Sequence, residues 1–181
     1  MAATGSVIAS LCYRKAGRQD VDRIVELVNS AYRGDSSRQG WTTEAELLGG
    51  QRTDREEVTE LIAAPESIML LGWNGSDLVG CVHLQRSDAD AAYFGMFAIR
   101  PGLQGLGIGK RFMLAAERTA ESEWGSRRML MTVITHRVEL IDFYLRRGYR
   151  RTGQLQPFPS SPRFGIPRRD DLQLELLEKT L

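Results

Sequence analysis

The sequence has little of what marks a disulfide-stapled, membrane-spanning or nucleic-acid-binding protein. It carries two cysteines in 181 residues, Cys12 and Cys81, where a secreted chain held by disulfides would carry more. Both fall in strand-like patterns and are expected as free, mostly buried thiols. A formal net charge of +1 leaves no sustained basic face for nucleic acid or an anionic membrane, so a small molecule or a protein is the favoured partner. No uncharged apolar run reaches roughly 18 residues, and the opening MAATGSVIASLC lacks a basic region followed by a long apolar stretch. A cytoplasmic location is expected. Internal repeats, low-complexity tails and long linkers are absent too. With 42% hydrophobic and 26% charged residues, the chain is expected to form one domain over residues 1–181 that buries about two thirds of its unfolded surface.

What is present reads as alternating strands and helices. Val7 to Lys15 has a strand pattern, and a helix follows from Asp20 with Val21, Ile24, Val25, Val28 and Ala31 on one face. The polar stretch GDSSRQGWTT, Gly34 to Thr43, feeds TEAELL, where Thr43 and Glu46 have capping-box spacing and predict a short helix. Asp54 and Glu57 repeat that signal before a helix that Pro65 ends near Ala64. Ile68 to Trp73 and Leu78 to Leu84 flank NGSD and predict an antiparallel hairpin. Tyr93 to Arg100 is a further strand, and Ile108, Phe112, Ala115, Ala116 and Thr119 recur at helical spacing. Met129 to Thr135 then reads as a strand, Val138 to Arg147 as a helix closed by Gly148, and Asp171 to Glu178 as a strand with Leu172, Leu174 and Leu176 alternating.

The stretch AIRPGLQGLGIGKRF joins one of these strands to one of these helices. A strand that stops at a glycine-rich turn and opens a helix aims unpaired backbone N–H groups at one spot, where the helix dipole also favours negative charge. Glycine permits close approach of a phosphate and left-handed torsions. The dinucleotide pattern G-x-G-x-x-G fails, because Lys110 or Phe112 stands where its third glycine belongs. The P-loop pattern fails as well, with Gln104 in place of its first glycine and Arg111 in place of Ser or Thr. Taken by itself, the loop is either a phosphate cradle or a turn.

FAIRPGLQGLGIGKRFM resembles motif A of the GNAT superfamily of acyl-CoA N-acyltransferases, Q/R-x-x-G-x-G/A after a strand, with Gln104, Gly107 and Gly109 in the signature places. LIDFYLRRGYRRTG resembles that family's second hallmark through Phe143-Tyr144 and Gly148-Tyr149, and the element order agrees over nearly the whole chain. The resemblance implies an α/β fold: a mixed, mostly antiparallel central sheet flanked by helices, with a splayed parallel strand pair at the cofactor cleft. It implies acetyl-CoA as cofactor, its pyrophosphate on the backbone of Gln104, Gly105, Leu106, Gly107, Ile108, Gly109 and Lys110, and its pantetheine along Phe97, Ala98 and Ile99. The implied activity is transfer of the acetyl group to a primary amine by direct attack in a ternary complex. An N–H near Ala98 would stabilise the oxyanion, and Tyr144 matches the family's acid by position.

The chain departs from the family pattern at two places. Arg137 stands where many relatives carry an Asn that contacts the cofactor, and is a candidate phosphate contact. Tyr93 to Arg100 carries no carboxylate, and Thr132 stands where one subgroup carries Glu. The base is therefore water, His136 or Glu44, and His136 has a suitable ordinary pKa of about 6.5. The acceptor is expected near AYRGDSSRQGWTTEA, through Tyr32, Arg33, Ser36, Arg38, Trp41 and Glu44, with Phe158, Arg163, Phe164, Arg168 and Arg169 as a second wall. Arg33, Arg38 and Arg168 together suit a carboxylate-bearing substrate such as an amino acid. A small-molecule amine is the expected partner, and a homodimer is compatible with this reading. The alternatives are a protein or peptide N-acetyltransferase and a catalytically silent acyl-CoA-binding regulator.

Overall fold

The computed structural model describes residues 11–181, so the part of the first expected strand before Leu11 lies outside the described residues. Strand β1 (Leu11–Lys15) leads to helix α1 (Val21–Tyr32), the short α2 (Gly34–Ser37), β2 (Leu48–Gly49) and α3 (Arg55–Ala63). The hairpin β3 (Ser67–Asn74) and β4 (Asp77–Arg86) follows, then β5 (Ala91–Ile99), α4 (Ile108–Trp124), β6 (Arg128–Ile134), α5 (Val138–Leu145), β7 (Arg150–Pro157), β8 (Ile166–Pro167) and β9 (Gln173–Thr180). The larger sheet has the order β1-β3-β4-β5-β6-β9-β7, and β2 pairs with β8 in a second sheet. All neighbours are antiparallel except β5 and β6. The expected fold class is therefore the observed one.

Both faces of the large sheet are covered, which is why β3 and β4 are apolar without a polar alternation. Met69, Leu71 and Cys81 pack with Ile24, Val28 and Val58 of α1 and α3. Ile68, Leu70, Val82 and Leu84 pack on the other face with Phe112, Ala116 and Tyr144 of α4 and α5. Gly72 and Gly80 are cross-strand partners, and a Cβ on them would lie 2.4 and 2.9 Å from the Phe112 ring. That hole seats α4 close to the sheet. Asp54 caps α3 by accepting from Glu57 N at 2.7 Å, as its spacing predicts.

Two expectations are corrected, on TEAELL and on Cys12, and one strand appears that no sequence signal marks. TEAELL does not become a helix: after one turn closed by Leu48 N on Glu44 O at 2.9 Å, the chain pairs as β2 with β8. Thr43 Oγ1 accepts from Ala45 N at 3.2 Å and meets Ser37 Oγ at 2.6 Å, so it caps this one turn, and Gly49-Gly50 stops further winding. Strand β7 carries no alternating apolar signal, because it is an edge strand exposed along nearly its whole length. Cys12 is exposed, and only Cys81 is a buried thiol. Among the described residues, no helix is long and apolar enough to cross a membrane.

Candidate active site

Strands β5 and β6 pair only through Ala91, Ala92 and Tyr93 against Arg128, Met129 and Leu130. Beyond them both strands run on unpaired to one another, and the opening exposes one edge of β5. The Tyr93 and Thr132 hydroxyls meet at 2.7 Å across it. Against β4, the register of β5 shifts between Cys81 paired with Ala98 and His83 paired with Gly95, so Val82 faces both Met96 and Phe97. Met96 takes a left-handed φ of 45°, a strained bulge of the kind that re-aims a strand beside functional sites. The carbonyl of Phe97 accepts the Tyr32 hydroxyl, which ties the end of α1 to the bulge.

Two cavities meet at this opening, and Tyr32, Phe97, Arg137, Leu140 and Tyr144 line both. The first, of about 390 Å³, is bordered by Gly105, Gly107 and Gly109. Gly105 and Gly107 have φ of 83° and 78°, and a Cβ on either would project into open space. Packing therefore does not demand glycine there; the left-handed torsions favour it, and the open space leaves room for close approach of a ligand. The first turn of α4 contains no acid and carries Lys110, and Arg146 and Arg147 reach the same cavity from the end of α5. A cationic residue in the first helical turn opposes the helix dipole, and a bound anion removes that conflict. These residues fit a pyrophosphate-bearing ligand.

Gln104 braces this cavity with its side chain. Its Oε1 accepts from Trp41 N at 3.0 Å, and its Nε2 donates to Thr42 Oγ1 at 2.8 Å and Ile99 O at 3.1 Å. Trp41 is thereby held with its ring centroid 5.1 Å from that of Phe143.

The second cavity, of about 300 Å³, lies between the splayed strands. Apolar residues including Met96, Met131, Leu174, Phe158 and Phe164 form most of its wall, and its charged lining residues are Glu44, Arg52 and Arg137. Glu44 Oε1 accepts from Arg137 Nη1 at 3.0 Å and Oε2 from Arg33 Nη1 at 2.6 Å, and all three are buried. Burial holds the Tyr144 phenol far above its ordinary range, against the opposing Arg137 guanidinium. Burial also pushes Tyr32 up to about 12, so both hydroxyls keep their protons at neutral pH.

The expected site residues separate on this frame. Phe97, Ile99, Gln104, Gly105, Gly107, Gly109 and Lys110 line the first cavity, whereas Ile108 is buried in the core and Leu106 packs against it. Ala98 is buried against the α1 face of the sheet. Trp41 borders the first cavity and not the second. Glu44 is not a free base, because both its oxygens hold guanidinium groups. His136 lines neither cavity and faces Asp171 at 3.3 Å. Arg33, Arg38 and Arg168 do not converge: Arg33 is spent on Glu44, exposed Arg38 pairs with Glu46 at 2.6 Å, and Arg168 donates its backbone N–H to Leu47 O beside the small sheet. Of the late segment, Phe158 and Phe164 do form a wall, while Arg163 pairs with Asp54 and Glu60 and Arg169 with Asp171. Arg52 and Gln156 went unread, since neither sits in a motif or a periodic pattern. Among the described residues, no cluster of His, Cys, Asp and Glu could hold a metal ion.

The sequence model of the Acetyltransferase (GNAT) family matches residues 21–149. Among solved structures, an N-acetyltransferase from Staphylococcus aureus aligns with a TM-score of 0.71 at 9% identity, covering 95% of this chain and 98% of that one. An IAA acetyltransferase from Bacillus cereus gives 0.66 at 14%, covering 95% and 100%. A GNAT family acetyltransferase from Elizabethkingia anophelis, solved with acetyl-CoA bound, gives 0.60 at 15%, covering 71% and 84%. At these identities the likeness is one of fold. No curated protein matches the chain.

Proposed function

Because the chain belongs to the GNAT acetyltransferase family, we propose that it transfers an acetyl group from acetyl-CoA to the primary amine of a small molecule, both ligands being bound at once. The observation that carries this reading is the meeting of two cavities at Tyr144 and Phe97, one with a glycine cradle and the cations Lys110, Arg146 and Arg147, the other reaching between the splayed strands β5 and β6. Acetyl-CoA in the first cavity would supply an activated acetyl thioester at the junction.

The chain's own groups then have distinct tasks. The backbone N–H groups from Gly105 to Lys110 and the Lys110, Arg146 and Arg147 cations bind the pyrophosphate. Trp41 and Phe143 exclude water from the passage between them. The amine approaches from the second cavity. Tyr144 Oη holds its proton and hydrogen-bonds the departing thiolate as charge develops. Full ionisation of a phenol raised above about 10 by a thiolate whose acid lies near 8.5 is uphill, so this hydrogen bond in the transition state is its contribution. Arg137, fixed by Glu44, faces the same point. With Glu44 engaged and His136 outside the cavities, the acceptor ammonium loses one proton to water before attack, and the nitrogen of the tetrahedral adduct loses a second to water as the C–S bond breaks and the thiolate leaves.

The reading is tested by calorimetric titration of acetyl-CoA into wild type, Gly107→Asn and Gly107→Glu. Asn tolerates a left-handed φ, so Gly107→Asn should stay folded and bind measurably. Gly107→Glu adds charge against the pyrophosphate and should not bind. Equal affinity in folded Gly107→Glu would remove the glycine loop as the cofactor site.

A further inference from the structure

Arg52 is the cation of the second cavity that the proposed reaction leaves unused. It stands in the loop between β2 and α3 and lines the second cavity but not the first. Its Nη1 is buried with no hydrogen-bond partner, and its guanidinium carbon lies 5.7 Å from the centroid of the Tyr32 ring. Its one hydrogen bond among the described residues is made by the backbone, N to Asn29 Oδ1 at 2.7 Å. The other guanidinium groups here are committed, Arg33 and Arg137 to Glu44, and Glu44 is the sole carboxylate in the lining. One carboxylate thus faces two cations before Arg52 is reached, and the cavity keeps a net positive charge inside apolar walls.

Arg52 is half-buried, and a buried guanidinium nitrogen without a partner carries a desolvation cost that an anionic ligand beside it lowers; the planar fork matches a carboxylate in two parallel hydrogen bonds. We infer that Arg52 receives the carboxylate of the acceptor, and that the acceptor is a free amino acid with an apolar side chain. Tyr144 marks where its amine reacts, Arg52 anchors the carboxylate, and Met96, Met131, Phe158 and Leu174 take the side chain. A cavity of about 300 Å³ is at the small end of ligand sites, roughly 300–1,000 Å³, which suits a compact amino acid. A polycationic amine would bring further positive charge beside Arg52 and Arg137 with no free carboxylate to receive it. This assignment rests on the acetyltransferase reading above.

The test compares L-methionine and L-phenylalanine with their amides, with phenethylamine and with spermidine, by thiol release from acetyl-CoA and by the shift in melting temperature of CoA-loaded protein. The free amino acids should raise the melting temperature and be turned over at least tenfold more efficiently than the uncharged analogues. Arg52→Gln should lower kcat/KM for them by about ten- to a hundredfold, the scale of a charged hydrogen bond, mainly through KM. Arg52→Lys should recover part of that loss, and the KM for acetyl-CoA should stay within twofold. The unliganded Arg52→Gln protein should melt no lower than wild type, since it loses a guanidinium whose buried Nη1 has no partner; a lower melting temperature with unchanged amino-acid KM would make Arg52 structural and overturn the inference. Preference for amides, phenethylamine or spermidine would overturn it while leaving the acetyltransferase intact. So would a gain for succinyl-CoA over acetyl-CoA that Arg52→Gln abolishes, because the carboxylate would then belong to the donor. Arg52-dependent stabilisation by amino acids in a protein that neither binds CoA nor releases thiol would instead sink the transferase reading and keep the binding site.

Discussion

Glu44 and Arg137, 93 positions apart in the chain, form a buried ion pair of 3.0 Å on the boundary between the two cavities. Arg33 takes the other Glu44 oxygen, and Arg137 also donates to the Thr42 carbonyl at 2.5 Å. One carboxylate therefore joins the end of α1, the loop carrying Trp41 and the start of α5, and acts as a positioning residue.

Glu44→Gln should consequently weaken the fold by about 3–5 kcal/mol, because two buried guanidinium groups lose their counter-charge. Urea denaturation measures this. With the base role absent, kcat/KM for the acceptor should rise with pH up to the acceptor amine's own pKa in both proteins. An inflection present in wild type and missing in the folded variant would restore Glu44 as the base.

Tyr144→Phe retains the ring and its edge contacts with Phe143 and Tyr149, at centroid distances of 5.4 and 5.9 Å. Melting temperature and acetyl-CoA affinity should be unchanged. Turnover at saturating substrates should fall by about a hundred- to a thousandfold, the loss typical of one transition-state hydrogen-bond donor. Undiminished turnover would move the donor elsewhere.

His83, buried on β4, is pushed down to about 4 by burial. The Ser67 hydroxyl donates to Leu61 O at 2.5 Å, so its oxygen accepts from His83 Nε2 at 2.9 Å. The unfolded histidine takes up its proton near pH 6.5 while the folded one resists until about 4. The contribution is complete above pH 6.5 and is lost as pH falls through that window, by about 3 kcal/mol in all. The stability difference between wild type and His83→Asn should follow that course in chemical denaturation from pH 7 to 4; a difference that is constant with pH would show that His83 titrates alike in both states.

Much of the architecture was legible because its causes are local. Helical spacing in α1 and α4, the Asp54 cap, the Asn74-Gly75 turn and the apolar runs of β3 and β4 act over a few residues, and the structure keeps each of them. Local signals failed where distant partners competed. Thr43 and Glu46 have the spacing of a capping box, yet Thr43 caps a single turn through Ala45 N and Arg38 takes Glu46. Strand β7 forms because β9 offers a free edge, not because RRTGQLQP has a strand pattern.

The main helices, the β3–β4 hairpin and the glycine turn between β5 and α4 follow from local sequence, since periodicity, caps and torsional freedom are properties of neighbouring residues. Which charges are spent and which remain depends on contacts between distant segments. Glu44 reads as a base until the fold places Arg33 and Arg137 on its two oxygens, and Arg52 reads as an ordinary loop cation until the opening between β5 and β6 forms beside it. A buried charge takes its character from the groups nearest in space, and those come from segments that no sequence spacing connects.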